Sequence, residues 1–90
     1  DKIVYLGKKN YAITTGLSIT EAYVNFVCDG TLTYSGTDAA VTINGAIRGN
    51  ININSIYAQN GTALKMTNVN RRVTFNSVNV DNIRAFVTIL

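Results

Sequence analysis

The sequence of 90 residues contains no proline, tryptophan or histidine, and it has a single cysteine, Cys28. Without histidine, the chain cannot form a Ser-His-Asp triad, a Cys-His pair or a histidine-ligated zinc site from its own residues. A single cysteine excludes a disulfide within the chain, and the usual burial of free cysteine predicts a small buried or turn-flanking thiol. We predict no catalytic site, metal or cofactor within these residues.

Charge is also scarce. Charged residues make up 14% of the chain, well below the usual share of about 25%, and the net charge is +3. This charge is scattered apart from the pair Arg71-Arg72, so the sequence does not favour a nucleic-acid partner. Hydrophobic residues reach 47%, which argues against disorder. No apolar run approaches the roughly 18 residues that a membrane span needs, so we predict a folded domain with no membrane span.

A repeat of about 22 residues is the main feature of the sequence. Segment 47–68 aligns with segment 69–90 without a gap, and the alignment places Asn54 on Asn76. The apolar positions that also match are Ile47/Val69, Ile51/Val73, Ile53/Phe75, Ile56/Val78, Ala58/Val80 and Leu64/Phe86. In solenoids each unit buries its apolar side against the next unit. Stacked asparagines exchange side-chain hydrogen bonds, so Asn54 and Asn76 predict an asparagine ladder.

Within each unit, apolar and polar residues alternate over short stretches, which is the period of a half-buried strand. Turn formers such as Asn44-Gly45 and Asn60-Gly61-Thr62 separate these stretches. Counting backwards gives three equivalences, which are Leu17/Ile19 with Val41/Ile43, Val24/Phe26 with Ile51/Ile53, and Leu32/Tyr34 with Ile56/Ala58. On this count, the turn at Cys28-Asp29-Gly30 is about three residues longer than its successor.

These patterns predict an all-β fold, a parallel β-helix (β-solenoid) segment with about three rungs of roughly 22–24 residues. Entry coils occupy residues 1–40 and regular rungs occupy residues 41–90, in a single domain that we expect to belong to a longer chain. The apolar strand at residues 86–90 supports this expectation, because solenoids need polar caps. An antiparallel sandwich or barrel would show the same alternation, but it would not require the ungapped self-match.

The first coils carry a resemblance to a known family. The opening Lys2-Ile3-Val4-Tyr5-Leu6-Gly7 is followed by Asn10-Tyr11-Ala12-Ile13 and then by Gly16-Leu17-Ser18-Ile19. The next strand, Val24-Asn25-Phe26-Val27, runs into the turn Cys28-Asp29-Gly30. This succession resembles the entry of the pectate-lyase-like right-handed β-helix superfamily, especially as it is used in bacteriophage tail spikes and tail appendages.

The resemblance implies a right-handed helix and a homotrimer that contacts neighbouring virion proteins and binds host surface polysaccharide. Its location would be the virion (phage tail), or the extracellular space or cell surface. Our leading hypothesis is therefore a structural and host-recognition segment of a phage tail spike or tail appendage. One alternative is the N-terminal rungs of a polysaccharide lyase or glycoside hydrolase with its active groove on later rungs, because many members of the family cleave the polysaccharide. Another is a bacterial surface adhesin solenoid.

The resemblance is a match of pattern and not of motif. Lys8-Lys9-Asn10 stands where the family usually has a Pro-Gly-Thr-like turn, and Cys28-Asp29-Gly30 replaces a Gly-x-Gly-like turn. A shared fold is a weak warrant for a shared activity.

Outward strand positions supply a candidate ligand face. The 22-residue repeat places Tyr57 beside Asn79 and Gln59 beside Asp81. These four residues form a possible glycan-binding face in which the ring of Tyr57 stacks on a sugar. The alternative is an interface that packs against sister chains.

Two charged pairs are weaker candidates for chemistry. Asp38 and Asp81 fall near one edge, and two rung spacings would separate them by about 9.6 Å. Inverting glycosidases use carboxylates about 6.5–9.5 Å apart, but two solvated turn aspartates are the simpler interpretation. Arg71 and Arg72 could serve a lyase, although an exposed turn pair is again simpler.

Overall fold

The structure is a computed structural model that describes residues 2–68 and the backbone of residues 73–80. These ranges contain eight β-strands and no helix. The strands are β1 (Lys2–Leu6), β2 (Asn10–Ile13), β3 (Leu17–Ile19), β4 (Tyr23–Tyr34), β5 (Ala39–Asn44), β6 (Arg48–Ala58), β7 (Thr62–Thr67) and β8 (Val73–Val80). The predicted all-β class is confirmed for this part of the chain.

Every strand pair in the described ranges is parallel. In the five-stranded sheet, β1 pairs with the first half of β4 and β2 with its second half. The same sheet continues from β4 to β6 and from β6 to β8. The strands β3, β5 and β7 form a separate three-stranded sheet. From β2 onwards the chain therefore alternates between the two sheets, and the strand in one sheet supplies the crossover that parallel pairing in the other requires.

Alternation along each strand places one set of side chains in a common core. In β4, Val24, Phe26 and Cys28 are buried while Asn25 between them is exposed. Both sheets contribute to a single apolar cluster, whose fully buried members include Phe26, Leu32, Val41, Ile43, Ile51, Ile53, Ile56 and Leu64. The first three strands add Val4, Leu6, Tyr11, Ile13 and Leu17, which pack against this cluster and are only partly buried. The core thus lies between the two sheets, as period-two alternation predicts.

The register confirms two of the three predicted equivalences and corrects the third. Leu17 and Ile19 pair with Val41 and Ile43, as predicted. Leu32 and Tyr34 pair with Ile56 and Ala58, also as predicted.

The third equivalence is wrong by two residues, because Val24 pairs with Gly49 and Phe26 pairs with Ile51. The register then shifts between Cys28 and Thr31, where the paired strands differ by a single residue. The expected insertion of three residues at Cys28-Asp29-Gly30 is therefore wrong as well.

The predicted 22-residue spacing is also wrong at β8. Ile51 pairs with Phe75, which is a spacing of 24 residues (75 − 51). A shift by two residues returns every side chain to the same face of a strand, so alternation alone cannot distinguish a spacing of 22 from one of 24. Asn54 consequently lies between the pairs Ile53–Val78 and Ser55–Asn79, so the register does not pair it with Asn76 as the predicted ladder required.

An asparagine pair does link neighbouring units, but at another turn. The side-chain amide of Asn68 donates a hydrogen bond of 3.4 Å to the Oδ1 of Asn44. Asn44 ends β5, and Asn68 follows β7 with a positive φ of 54°, a conformation that asparagine tolerates better than most residues. The principle of stacked asparagines therefore applies to this chain, at a site that the 22-residue alignment missed.

Candidate functional site

Tyr57 lies on the outer side of β6, as the sequence predicted. Its neighbours Ile56 and Ala58 are fully buried, and the Tyr57 side chain is 37% exposed. The register places Thr33 beside Tyr57 and Ala12 beside Thr33. The tyrosine ring therefore stands next to a short row of small outward side chains.

The predicted partners of Tyr57 are arranged differently. Asn79 pairs with Ser55, and so it stands diagonal to Tyr57 and not directly beside it. Gln59 is exposed in the turn that follows β6. Asp81 lies outside the described residues, as do Arg71 and Arg72. Of the two carboxylates suggested as a pair, the structure therefore describes only Asp38, which is exposed just before β5.

We name the surface around Tyr57 the tyrosine face. It consists of the outward residues of β2, the second half of β4 and β6, namely Asn10, Ala12, Thr31, Thr33, Ser55 and Tyr57. None of these side chains is charged. The Thr33 hydroxyl donates a hydrogen bond of 2.7 Å to the Oδ1 of Asn10 across the strands. The face is therefore a neutral surface of hydroxyl and amide groups with a single aromatic ring.

A second surface was not predicted as a site. It is a groove of about 460 Å³ on the outer side of the three-stranded sheet. Its polar lining residues are Thr14, Thr15, Ser18, Tyr34, Asp38, Thr42 and Lys65. We name it the hydroxyl groove. Ser18, Thr42 and Lys65 form a row across β3, β5 and β7, because Ser18 pairs with Thr42 and Thr42 pairs with Lys65.

Buried groups hold one rim of the hydroxyl groove in place. The backbone N–H of Asp38 donates a hydrogen bond of 3.2 Å to the hydroxyl oxygen of Tyr34, a side chain that is only 3% exposed. The backbone carbonyl of Asp38 accepts a hydrogen bond of 2.8 Å from the N–H of Thr62. These two contacts fix the backbone at Asp38 and leave its carboxylate on the surface.

The sequence contained a signal for this groove. Each residue of the row is the middle member of an apolar-polar-apolar triplet, such as Leu17-Ser18-Ile19 or Leu64-Lys65-Met66. Since successive side chains on a strand point to opposite faces, the three middle residues must share the outer face once the strands are in register. The sequence pattern did not indicate that Tyr34 and Asp38 also line the groove, because their positions depend on how the chain turns between the sheets.

A different outward contact involves Tyr5 of the first strand. Its hydroxyl donates a hydrogen bond of 3.0 Å to the Oδ2 of Asp29, and the ring is 67% exposed. This hydrogen bond to the carboxylate raises the pKa of the Tyr5 hydroxyl. Tyr5 pairs with Val27 and hydrogen-bonds to a carboxylate, whereas Tyr57 stands beside Thr33 on a surface without charged side chains.

Cys28 is buried, with 1% exposure, in agreement with the predicted structural thiol. Burial is the main reason that the pKa of this thiol is raised above its ordinary value, and the nearby Asp29 carboxylate raises it further. A backbone hydrogen bond from Gly30 partly offsets these effects. Because the thiolate is the reactive form, this position does not favour a nucleophile.

We expect the native protein to react with the thiol reagent DTNB at pH 8 at least about tenfold more slowly than the urea-unfolded chain. The raised pKa and the burial of Cys28 both act in this direction. The absorbance of the released thionitrobenzoate measures both rates. Equal rates for the native and unfolded chains would contradict the burial of Cys28.

Three comparisons with known proteins assign the chain to no family. The chain matches no protein-family model, no curated protein and no solved structure. In the described part of the chain, no three His, Cys, Asp or Glu residues are placed to hold a metal ion. No helix in the same ranges has the length and apolar character needed to cross a membrane.

Proposed function

We propose that the chain is a segment of a right-handed parallel β-helix that serves as a structural and host-recognition part of a bacteriophage tail spike or tail appendage. In this proposal the segment belongs to the virion as a homotrimer beside neighbouring virion proteins. Its outer surface contacts the polysaccharide of the host. The resemblance of the first coils to such proteins suggests the setting.

Support for the helical arrangement comes from the strand pairing. The chain alternates between two parallel sheets, and each later strand pairs with the preceding strand of its own sheet. Inward side chains of both sheets meet in one apolar cluster. A chain that winds repeatedly around one core produces this order and buries each unit against the next.

The tyrosine face is the observation that carries the binding role. An aromatic ring presents an apolar face to the C–H groups of a sugar, and its hydroxyl serves the polar groups at the ring edge. Thr33 and Ser55 add hydroxyls that both donate and accept hydrogen bonds. An uncharged surface with several hydroxyl groups suits the repeated hydroxyls of a polysaccharide.

Replacing Tyr57 by alanine is expected to weaken binding to the host polysaccharide by about tenfold. Loss of an aromatic stacking contact costs roughly 0.5–1.5 kcal/mol beyond the area lost. Tyr57→Phe should retain most of the affinity, because it keeps the ring. Biolayer interferometry against a panel of immobilised bacterial surface polysaccharides would measure the three affinities.

Tyr5→Ala is the matched control, since Tyr5 is also exposed but lies outside the tyrosine face. We expect this variant to bind like the unmodified protein. A chain that binds none of the polysaccharides, or that binds equally well after Tyr57→Ala, would overturn the proposed role of this face.

A further inference from the structure

We infer that the hydroxyl groove is a second saccharide subsite and that it selects an uncharged stretch of the polysaccharide. This inference rests on the proposed function, and it adds both a location and a substrate class. It is carried by the row formed by Ser18, Thr42 and Lys65 and by the carboxylate of Asp38 at the rim.

The size of the groove fits a small part of a sugar chain. Its volume of about 460 Å³ lies within the roughly 300–1,000 Å³ of small-molecule sites. Leu17 and Ala39 contribute apolar surface to the lining beside its hydroxyl groups. An apolar surface with a few convergent polar groups is the usual composition of a site that orients its ligand.

The polar groups are suited to hydroxyls. The side chains of Ser18 and Thr42 can each donate one hydrogen bond and accept two. The Asp38 carboxylate accepts only, whereas the Lys65 ammonium group donates only. Together they match ligand groups that, like sugar hydroxyls, donate and accept at the same atom.

The charges of the groove argue against an ionic sugar. Its lining holds one carboxylate, Asp38, and one ammonium group, Lys65, so the charges of the lining balance. Clefts that attract ionic ligands are lined by charge of one sign, which concentrates counter-ions near them. The tyrosine face is uncharged as well. Both surfaces therefore fit a neutral polysaccharide better than a polyuronate.

The test is a titration of the ¹⁵N-labelled protein with four hexasaccharides. The neutral probes are hexamers of glucose, mannose and N-acetylglucosamine, and the anionic probe is hexagalacturonate. We expect at least one neutral probe to shift the amide signals of Thr42 and Lys65. We also expect hexagalacturonate to bind at the same amides at least about tenfold more weakly.

Two variants probe the chemistry of the groove. Thr42→Val removes the central hydroxyl at nearly constant volume and should weaken neutral binding about fivefold to tenfold. Asp38→Asn removes the carboxylate and leaves Lys65 unopposed, so it should bring hexagalacturonate binding close to that of the neutral probe. Thr67→Val, on the same sheet but outside the groove, is the matched control and should change neither affinity.

The outcomes separate this inference from the proposed function. If no probe shifts the signals of Thr42 and Lys65, or if hexagalacturonate binds the unmodified protein best, the groove inference is wrong. The proposed function survives that result when the Tyr57 amide still responds to a probe. When polysaccharides bind in neither place, the proposed function fails together with the inference.

Discussion

Gly49→Ala is expected to lower the free energy of unfolding by about 3 kcal/mol or more. Gly49 has a φ of +149°, a backbone conformation that residues other than glycine rarely adopt. Forcing another residue into such a conformation costs roughly 1–3 kcal/mol. An added Cβ would also overlap the backbone carbonyl oxygen of Val24, its neighbour in the adjacent strand. Because that oxygen belongs to the sheet backbone and not to a flexible side chain, relief of the overlap requires the backbone of β4 or β6 to shift.

Gly45→Ala provides a matched comparison. Gly45 also has a positive φ, of +84°, but an added Cβ there would meet no atom within 4 Å. We expect a loss of only about 1–2 kcal/mol, from backbone strain alone. Urea unfolding followed by circular dichroism would measure both variants. Equal losses for Gly45→Ala and Gly49→Ala would show that the strands do not approach each other at Val24.

Phe26→Ala is expected to cost about 3–5 kcal/mol, the usual loss for a large aromatic side chain removed from a core. Phe26 is fully buried and lies in register between Val4 and Ile51. A loss of this size is a large fraction of the roughly 5–15 kcal/mol that stabilises a typical folded domain. Thermal and urea unfolding curves would report the change.

Asn25→Ala is the control for Phe26→Ala, because Asn25 is the preceding residue of β4 and faces outward. A surface substitution of this kind should stay within about 0.5 kcal/mol. If Asn25→Ala destabilised the protein as much as Phe26→Ala, the assignment of the inner and outer faces of β4 would be wrong.

The faces of the strands could be predicted from the sequence, whereas their register could be predicted only in part. Alternation identifies Phe26 and Ile51 as inward residues without reference to any other strand. The choice between pairing Phe26 with Ile51 and pairing it with Ile53 preserves the same alternation. It depends on close contacts that a pattern of apolar residues does not encode, such as the approach of Gly49 to Val24.

The candidate surfaces divide in the same way. The outward position of Tyr57 followed from its buried neighbours, and the structure confirms it. The predicted alignment of Tyr57 with Asn79 depended on the register. It is wrong, because Asn79 pairs with Ser55. The hydroxyl groove needed both the register of the three-stranded sheet and the turn that brings Asp38 to its rim.

The most direct test of the parallel, in-register pairing is a set of nuclear Overhauser effects between β4 and β6. Parallel pairing predicts contacts from the Hα of one strand to amide protons of the other, in a register that places Phe26 beside Ile51 and Leu32 beside Ile56. Strong Hα–Hα contacts across the strands are typical of antiparallel pairs, whose directly opposed residues approach more closely. Such contacts, or a register that places Phe26 beside Ile53, would contradict the fold on which the proposed β-helix depends.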